Sequence, residues 1–547
     1  MSEATIDDKV RRILRTAIRF GWLDHPQTDP SISLLNEQGS QVALEAARSG
    51  IVLLKNEANI LPLDKAKIKS IAVIGPDAYP AQVVGGGSAG VRPFTSISYL
   101  EGLSQYLGRN AAVYYERGLP SLGEMADSTT FSSDPNGKKP GLDTEVFNNP
   151  QLKGKPDVRR TDQHINVDRY LGDRLNQNEV SVRWTGYFTP TVAGEHLLFV
   201  HGPGEEGGTR LYLDDKLILD NWELVKARVS QARVQLAAGP HKIRFEYFAH
   251  YSWGGPMVKL GIIRPDAIVS ASAKALASRA DAVVVAVGFD SDSESEGGDR
   301  SFQLPPGQDE LINQIAAANK NTIVAITSGG AVDMNAWLGH VPALFETWFS
   351  GQAGGTALAQ LLFGDYNPSG KLPVSFESRW EDNAVHDSYY PKSGDKKVVY
   401  SEGLFVGYRH FDRAAVKPLF PFGYGLSYTT FDYKNLSVDP TNAAGDQPVA
   451  VSFDVTNSGT RAGAEVAEVY VGEAKPAVPR PAKELKGFVK MQLNPGETRR
   501  FTVNLDHRAF SYYDVSKHNW LADAGIFKVY VGPSSAEIEL TGSLERK

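Results

Sequence analysis

The sequence alternates helical and strand patterns in two separate stretches, and this alternation restricts the fold more than any other feature. Strand-like runs such as Ala282 to Phe289 are apolar throughout, which is typical of parallel strands covered on both faces. Between the two stretches, residues 141–265 show strand patterns, and strand patterns return from residue 431 onwards. The simplest interpretation is an α/β domain that is interrupted by one β domain and followed by another.

We therefore predict a multidomain protein of the α/β plus β class. Polar residues 121–140 are interpreted as a linker into the interrupting domain. The predicted parts are a linker helix within residues 1–35, an α/β/α sandwich in residues 36–120 and 266–430, an inserted β-sandwich-like domain in residues 141–265, and a C-terminal β-sandwich in residues 431–547.

Charge and composition exclude several classes of function. The 547 residues carry 57 Lys and Arg against 64 Asp and Glu, so the net charge is −7, and no basic block indicates a nucleic-acid partner. Cysteine is absent, which excludes disulfides, thiolate metal sites and a cysteine nucleophile. No apolar run reaches the roughly 20 residues of a membrane span. Localisation stays open, with a lean towards a bacterial periplasmic or secreted protein.

The densest acidic stretch follows the apolar run that ends at Phe289. Ligands of open α/β sheets bind beyond the carboxyl ends of the strands, so the position suits a site. A solvated loop, a calcium loop and a catalytic carboxyl all fit, although a calcium loop would need Gly in place of Ser295 and Glu in place of Ser301. The acidic residues are Asp290, Asp292, Glu294, Glu296 and Asp299.

Several motifs occur together and in a fixed order along the chain. The sequence Ser295-Glu296-Gly297-Gly298-Asp299-Arg300 resembles the acid/base loop of glycoside hydrolase family 3. Arg480-Pro481 with residues 484–488 resembles the fibronectin type III-like domain of that family, and residues 184–188, 210–214 and 220–222 resemble a protective-antigen-like carbohydrate-associated domain. Other matches to the family are residues 71–77, 86–89, 351–355, 367–373, 400–403, 407–409 and 420–428.

The resemblance implies an exo-acting, retaining β-glycoside hydrolase, most simply a β-glucosidase that releases glucose from β-glucosides and short oligosaccharides. It implies that Glu296 is the general acid/base and that Gly297, Asp299 and Arg300 support the loop, the last two as a charge pair. No cofactor and no metal are implied. A family 3 β-xylosidase or N-acetylglucosaminidase, and a non-catalytic carbohydrate-binding or surface-interaction protein, remain alternatives.

Two further residues are candidates for substrate contact. Ser88 lies in a glycine-rich stretch, where its hydroxyl either faces the sugar or caps the next helix, and we favour the cap. Trp253 precedes Gly254 and Gly255, a pattern that indicates an exposed turn on which an aromatic ring could stack against a sugar.

A retaining glycosidase needs a second carboxyl group, which the family carries on an N-terminal (β/α) barrel. We find no Ser-Asp-Trp motif of the nucleophile type, and the start of the sequence resembles the helix that follows the barrel. We therefore expect this chain to supply the acid/base but not the nucleophile, and to be inactive alone. Its expected partner is a carbohydrate substrate. Two explanations for the absent barrel stay open: the chain is a truncated gene product, or the barrel is a separate chain and a second partner.

Overall fold

The structure is a computed structural model that describes residues 1–26, 28–29, 36–168, 170–172, 175–177, 179–222, 227–250, 256–296, 298–390, 397–445 and 447–547. The sequence patterns predict the helices near residues 6–20, 36–49, 271–280, 307–319 and 355–363, whereas the three helices at residues 99–107, 122–128 and 408–414 were not predicted. The helices are α1 Glu3–Arg19, α2 Glu37–Gly50, α3 Tyr99–Leu107, α4 Leu122–Ser128, α5 Ala271–Arg279, α6 Gln308–Ala318, α7 Gly354–Phe363 and α8 Tyr408–Ala414.

The strands fall into three groups along the chain. The first group continues after the second, as the alternating pattern predicts. In chain order the strands are β1 Val52–Asn56, β2 Ser70–Ile74, β3 Ala112–Glu116, β4 Leu142–Phe147, β5 Val158–Asp162, β6 Asn166–Asp168, β7 Glu179–Phe188, β8 Gly194–His201, β9 Gly207–Leu213, β10 Lys216–Asn221, β11 Val229–Leu236, β12 His241–His250, β13 Met257–Ile263, β14 Ala282–Gly288, β15 Thr322–Thr327, β16 Ala343–Glu346, β17 Phe431–Asp439, β18 Asn442–Ala443, β19 Val449–Asn457, β20 Gly463–Glu473, β21 Glu484–Leu493, β22 Thr498–Leu505, β23 Tyr512–Asp514, β24 Asn519–Leu521, β25 Gly525–Gly532 and β26 Leu540–Arg546.

The α/β sheet has the strand order β1-β16-β15-β14-β2-β3, and every pair is parallel except β1 with β16. Its central strand β14 is buried along its whole length. Val283, Val285 and Val287 pack with α5 and α6 on one face, whereas Val284 and Ala286 pack with α3 and α7 on the other. The continuous apolar run in the sequence thus follows from burial on both faces of a three-layer sandwich.

The carboxyl ends of the parallel strands meet at one edge of this sheet, and close backbone contacts hold them there. Gly75 follows β2 with φ of +128°, and a Cβ at this position would lie 1.9 Å from the carbonyl oxygen of Ala286. Gly288 ends β14, and a Cβ there would lie 2.0 Å from the carbonyl oxygen of Thr327. Only glycine lets the loops after β2 and β14 start this close to their neighbours.

Strands β4 to β13 form two antiparallel sheets, which we name the middle β unit. The sheet orders are β10-β9-β12-β7-β4-β5 and β11-β8-β13-β6. Both sheets contribute to one core, in which the indole of Trp184 stacks on Phe245 with ring centroids 5.7 Å apart. The chain returns to the α/β sheet through α5, and β14, which follows this unit in sequence, pairs with β2, which precedes it.

The predicted linker at residues 121–140 is wrong in part, because the segment is folded. It begins with α4, whose first turn is closed by a capping box between Ser121 and Glu124. Further on, the backbone of Ser132 exchanges two hydrogen bonds with Tyr187 of β7, at 2.9 and 2.7 Å. The sequence signal for the helix was present as Ser-x-x-Glu, but the surrounding Asn, Gly, Lys and Pro outweighed it.

Side chains of the middle β unit clamp it to the α/β core. The guanidinium of Arg233 on β11 pairs with Glu310 in the first turn of α6. The amide of Gln231 donates a 2.9 Å hydrogen bond to the carbonyl oxygen of Leu304. Phe199 of β8 packs into the same apolar cluster as α5 and α6. The unit is therefore held against the face from which the acidic loop emerges.

The C-terminal sandwich has a three-stranded sheet, β17-β19-β22, and a five-stranded sheet, β18-β26-β25-β20-β21. Burial alternates along β19, as expected for strands with one face in a core. The predicted strands at 449–455, 465–471, 498–505 and 526–531 are confirmed, with bounds that extend by up to two residues at either end. Strands β17, β21 and β26 were not predicted because their polar faces weaken the apolar pattern.

Helix α1 confirms the predicted amphipathic pattern, but its apolar face is uncovered. None of its residues is buried, and Val10, Ile13 and Ile18 are 47%, 68% and 60% exposed. Among the described residues, no helix combines the length and the apolar character needed to cross a membrane.

The sequence motif at Arg480 is explained by a buried ion pair in the C-terminal sandwich. Its guanidinium donates to Glu473 at 3.1 Å and to Glu484 at 3.0 Å, and also to the carbonyl oxygen of Phe510 at 3.0 Å. The side chains of Arg480 and Glu473 are only 5% and 3% exposed.

We expect Arg480→Ala to lower the free energy of unfolding of the sandwich by about 3–5 kcal/mol, because it leaves buried carboxylates without their partner. Arg499→Ala is the matched control, since Arg499 pairs with Glu497 but is 51% exposed, and it should cost less than about 1 kcal/mol. Calorimetric melting of both variants checks the difference. Equal shifts in the melting temperature would contradict the structural role of the buried pair.

Candidate active site

The acidic loop, residues 290–300, leaves the sheet directly after β14 and Phe289. Its first turn is closed by Asp290, whose carboxylate accepts from the backbone N–H of Ser293 at 2.9 Å and from the Ser293 hydroxyl at 2.7 Å. The Asp290 carboxylate is thus engaged in ordering its own turn. Within the described ranges, no three His, Asp or Glu side chains come together in a way that could hold a metal ion.

The glycine loop, residues 85–90, lies directly against the acidic loop. The backbone N–H of Gly86 donates to the carbonyl oxygen of Glu294 at 2.9 Å, and Glu296 donates back to Gly86 at 3.3 Å. A Cβ at Gly87 would lie 2.4 Å from the Cβ of Glu296, and Gly87 has φ of +85°. The glycines are therefore required because a side chain would push the two loops apart.

The carboxylate of Glu296 is exposed and held by Ser88. Both the backbone N–H of Ser88, at 2.7 Å, and its hydroxyl donate to the same oxygen, Oε2. These hydrogen bonds stabilise the anion and lower the pKa of Glu296 below its ordinary value. The helix cap that we favoured for Ser88 is wrong, because the next helix, α3, is capped by Ser98.

Asp299 and Arg300 are both engaged, but each with partners other than those predicted. The hydroxyls of Tyr389 and Tyr390 donate to the two oxygens of Asp299, each at 2.7 Å. Arg300 lies 3.2 Å from Glu294 and donates to the carbonyl oxygen of Ala331 at 2.8 Å. The expected charge pair is thus replaced by separate contacts that tie the loop to two different segments. Gly297 and Trp253, also predicted at the site, lie outside the described residues.

Sequence reasoning missed Glu346, which lies at the carboxyl end of β16 beneath this loop. Its side chain is fully buried, and it accepts from the backbone N–H of Trp348 at 2.9 Å and from the hydroxyl of Ser328 at 3.1 Å. Burial raises the pKa of Glu346 to about 8, so the group is largely protonated at neutral pH. A glutamate at the end of an otherwise apolar strand was the available signal.

Ser88→Ala should raise the pKa of Glu296 towards its ordinary value, because the hydroxyl donor to the anion is lost. Titration of ¹³C-labelled glutamate carboxyls by NMR measures this, with the Glu296 signal assigned by its absence in Glu296→Gln. Ser295→Ala is the control, since the hydroxyl of Ser295 donates to the backbone carbonyl of Glu296 at 3.3 Å rather than to the carboxylate. An unchanged titration in Ser88→Ala would show that the contact is absent in solution.

Glu346→Gln should change how stability depends on pH. Because the folded chain holds a proton on Glu346 that the unfolded chain releases above about pH 4.5, the wild type loses stability as pH rises from there to about 8. The variant should match the wild type at pH 5 and exceed it at pH 9, by up to about 4 kcal/mol. Melting temperatures at the two pH values check this, with the exposed Glu381→Gln as control. A parallel pH dependence of wild type and variant would contradict it.

Comparisons with known proteins agree with this geometry. Residues 51–408 match the model of the glycosyl hydrolase family 3 C-terminal domain, and residues 465–535 match a fibronectin type III-like domain. A probable beta-glucosidase I of Aspergillus terreus is 33% identical over 99% of this chain and 67% of its own length. A probable beta-glucosidase K of Emericella nidulans is 32% identical over 100% of this chain and 67% of its own length.

Solved structures give the same result. A beta-glucosidase from Streptomyces venezuelae in complex with D-glucose is 33% identical with a TM-score of 0.70, covering 100% of this chain and 64% of that one. A beta-glucosidase from Kluyveromyces marxianus in complex with glucose is 30% identical with a TM-score of 0.66, covering 100% and 68%. The chain spans about two thirds of the length of these relatives. The family match covers well over half of the sequence, and the chain therefore belongs to glycosyl hydrolase family 3.

Proposed function

We propose that this chain carries the acid/base half of an exo-acting, retaining β-glucosidase, and that Glu296 is the acid/base. The supporting observation is the position of Glu296, exposed at the carboxyl edge of the sheet and held by Ser88 on a glycine loop. Two structural relatives that are 30% and 33% identical are beta-glucosidases with bound glucose, which supports the choice of sugar.

In the proposed mechanism, Glu296 first protonates the glycosidic oxygen as the aglycone leaves. It then takes a proton from the water that hydrolyses the glycosyl-enzyme intermediate. The nucleophilic carboxylate must stand about 5–5.5 Å from Glu296. Glu294 pairs with Arg300 and Asp299 accepts from two tyrosines, so these two carboxylates of the loop are already engaged. We therefore assign the nucleophile to a (β/α) barrel that docks against this edge.

The lowered pKa of Glu296 supports the proposal that this chain carries one of the two catalytic carboxyl groups. In this chain the Ser88 hydrogen bonds lower the pKa, so at neutral pH the group is an anion and a poor general acid. A docked barrel would place a second carboxylate nearby and exclude water. Both effects raise the pKa of a carboxyl group, so docking would convert Glu296 into a proton donor.

We further propose the domain roles that the resemblance implies. Residues 36–120 and 266–430 are the family 3 sandwich, residues 141–265 a protective-antigen-like domain, residues 431–547 the fibronectin type III-like domain, and residues 1–35 the linker helix. The middle β unit reaches the acidic loop, because the Nε of Arg228 lies 3.7 Å from a Cβ built at Gly298. A middle β unit that covers the active site would restrict the substrate to short glycosides.

A non-catalytic carbohydrate-binding protein is the second candidate. The exposed, anionic state of Glu296 is the observation that favours it, because such a carboxylate is suited to accept hydrogen bonds from sugar hydroxyls rather than to donate a proton. The catalytic proposal accounts in addition for the glycines that position Glu296.

The test is release of nitrophenol from nitrophenyl β-D-glucoside by the pure chain, and by the chain mixed with a separately expressed family 3 barrel. We expect no turnover from the chain alone and measurable turnover from the mixture. In the mixture, Glu296→Gln should lower kcat/KM by about 10²–10⁴-fold, and by less with dinitrophenyl β-glucoside, whose leaving group hardly needs protonation. Asp292→Asn, an exposed carboxylate of the same loop, should leave kcat unchanged.

Turnover by the pure chain that Glu296→Gln abolishes would contradict the half-site proposal. Equal losses of kcat/KM with both leaving groups would contradict the acid role of Glu296. If the mixture releases no nitrophenol although sedimentation shows that its components form a complex, the carbohydrate-binding candidate would be favoured.

A further inference from the structure

A cavity of about 1100 Å³ lies behind the acidic loop and has no role in the chemistry proposed above. One wall comes from the middle β unit, at residues 218–221 and 227–231, and a second from the acidic loop and its continuation, at 298–303. Residues between Val374 and Tyr390 form the third wall. The volume lies at the upper end of that of small-molecule sites and would accommodate several sugar units.

The third wall presents a cluster of aromatic rings in fixed orientations. The rings of Trp380 and Tyr389 are 5.7 Å apart at 88°, and those of Tyr389 and Tyr390 are 4.9 Å apart at 85°. Both tyrosine hydroxyls donate to Asp299, which fixes the rings before any ligand arrives. Tyr389 is 44% exposed although it is an aromatic residue. Rigid aromatic faces beside hydrogen-bonding groups suit the apolar faces and hydroxyls of sugar rings.

Within the described lining, the cation Arg300 is already paired with Glu294, and Asp220 pairs with Arg210. Asp299 and Glu377 instead accept from neutral donors, namely the two tyrosine hydroxyls and the amide of Asn383. An anionic ligand would face these carboxylates, whereas sugar hydroxyls can donate to their remaining lone pairs. The lining therefore favours a hydroxyl-rich molecule without negative charge.

This cavity is separate from the candidate acid/base. Ser295, Gly298 and Asp299 line it, but Glu296 does not, and its carboxylate accepts instead from Ser88, which does not line the cavity either. A ligand here would contact the back of the acidic loop without occupying the position of a scissile bond.

We propose that this aromatic cleft is a second carbohydrate site, which binds a neutral oligosaccharide independently of Glu296. The choice of a gluco-oligosaccharide rests on the proposed function, but binding needs neither a nucleophile nor turnover. We take the ligand to be a sugar because the aromatic rings, the carboxylates that can accept from hydroxyls and the volume all suit it, whereas a phosphorylated or acidic ligand would face those carboxylates.

The experiment is isothermal titration of cellotetraose and laminaritetraose into the full chain. We expect one of them to bind, and Trp380→Ala and Tyr389→Ala to weaken that binding by at least about tenfold each, since each removes a ring face. Tyr389→Phe keeps the ring and should weaken binding less than Tyr389→Ala. Trp520→Ala is the control, because Trp520 is an exposed tryptophan of the C-terminal sandwich, 38% exposed and far in sequence from the cleft.

The variant Glu296→Gln distinguishes this site from the catalytic one. We expect it to bind the oligosaccharide as tightly as the wild type does. Loss of binding in Glu296→Gln with normal binding in Trp380→Ala would overturn the proposal, because the sugar would then lie at the acid/base. Failure of both oligosaccharides to bind would also overturn it. Since no hydrolysis is measured, neither result depends on the outcome of the nitrophenyl glucoside assay. Melting temperatures of all variants show whether a loss reflects unfolding.

Discussion

Burial of the parallel strands on both faces determines where the chemistry of this chain can lie. With α5 and α6 on one side of β14 and α3 and α7 on the other, the faces of the sheet are closed to ligands. Its carboxyl edge is the place where loops emerge side by side. Gly75 and Gly288 bring the strand ends to within a backbone contact of their neighbours. The glycine loop and the acidic loop therefore meet, although Ser88 and Glu296 are 208 residues apart.

Two glutamates near this edge show how their surroundings shift the pKa of one residue type in opposite directions. Glu296 is in solvent with two donors from Ser88, so its pKa is lowered. Glu346 also accepts from two neutral donors but is cut off from water, so its pKa is raised to about 8. The difference between them therefore comes from burial.

Local signals allowed much of the fold to be predicted from the sequence, whereas contacts between distant segments could not be. The pair Asp214-Asp215 between two strand-like runs is a local turn signal, and both residues adopt the positive φ angles of a two-residue hairpin. The partners of Asp299 were not, because Tyr389 and Tyr390 lie some 90 residues further on and a single sequence gives no pairing information. The role of Ser88 was predicted wrongly for the same reason. Its hydroxyl was expected to cap the next helix along the chain, whereas it donates to Glu296, 208 residues further on.

The acidic loop has different surroundings on its two sides, and this asymmetry bears on how the molecule works. On the side of Asp299, the two tyrosine hydroxyls and the walls of the cleft form a pre-organised surface. Among the described residues, the hydrogen-bond donor to the carboxylate of Glu296 is Ser88, and Glu296 is exposed, without the dry surroundings that a general acid needs. Although Asp299 is only three residues from Glu296, the two tyrosines hold one carboxylate and Ser88 holds the other. The proposed sugar site and the proposed acid/base therefore depend on separate contacts, which is why substitutions can test them independently.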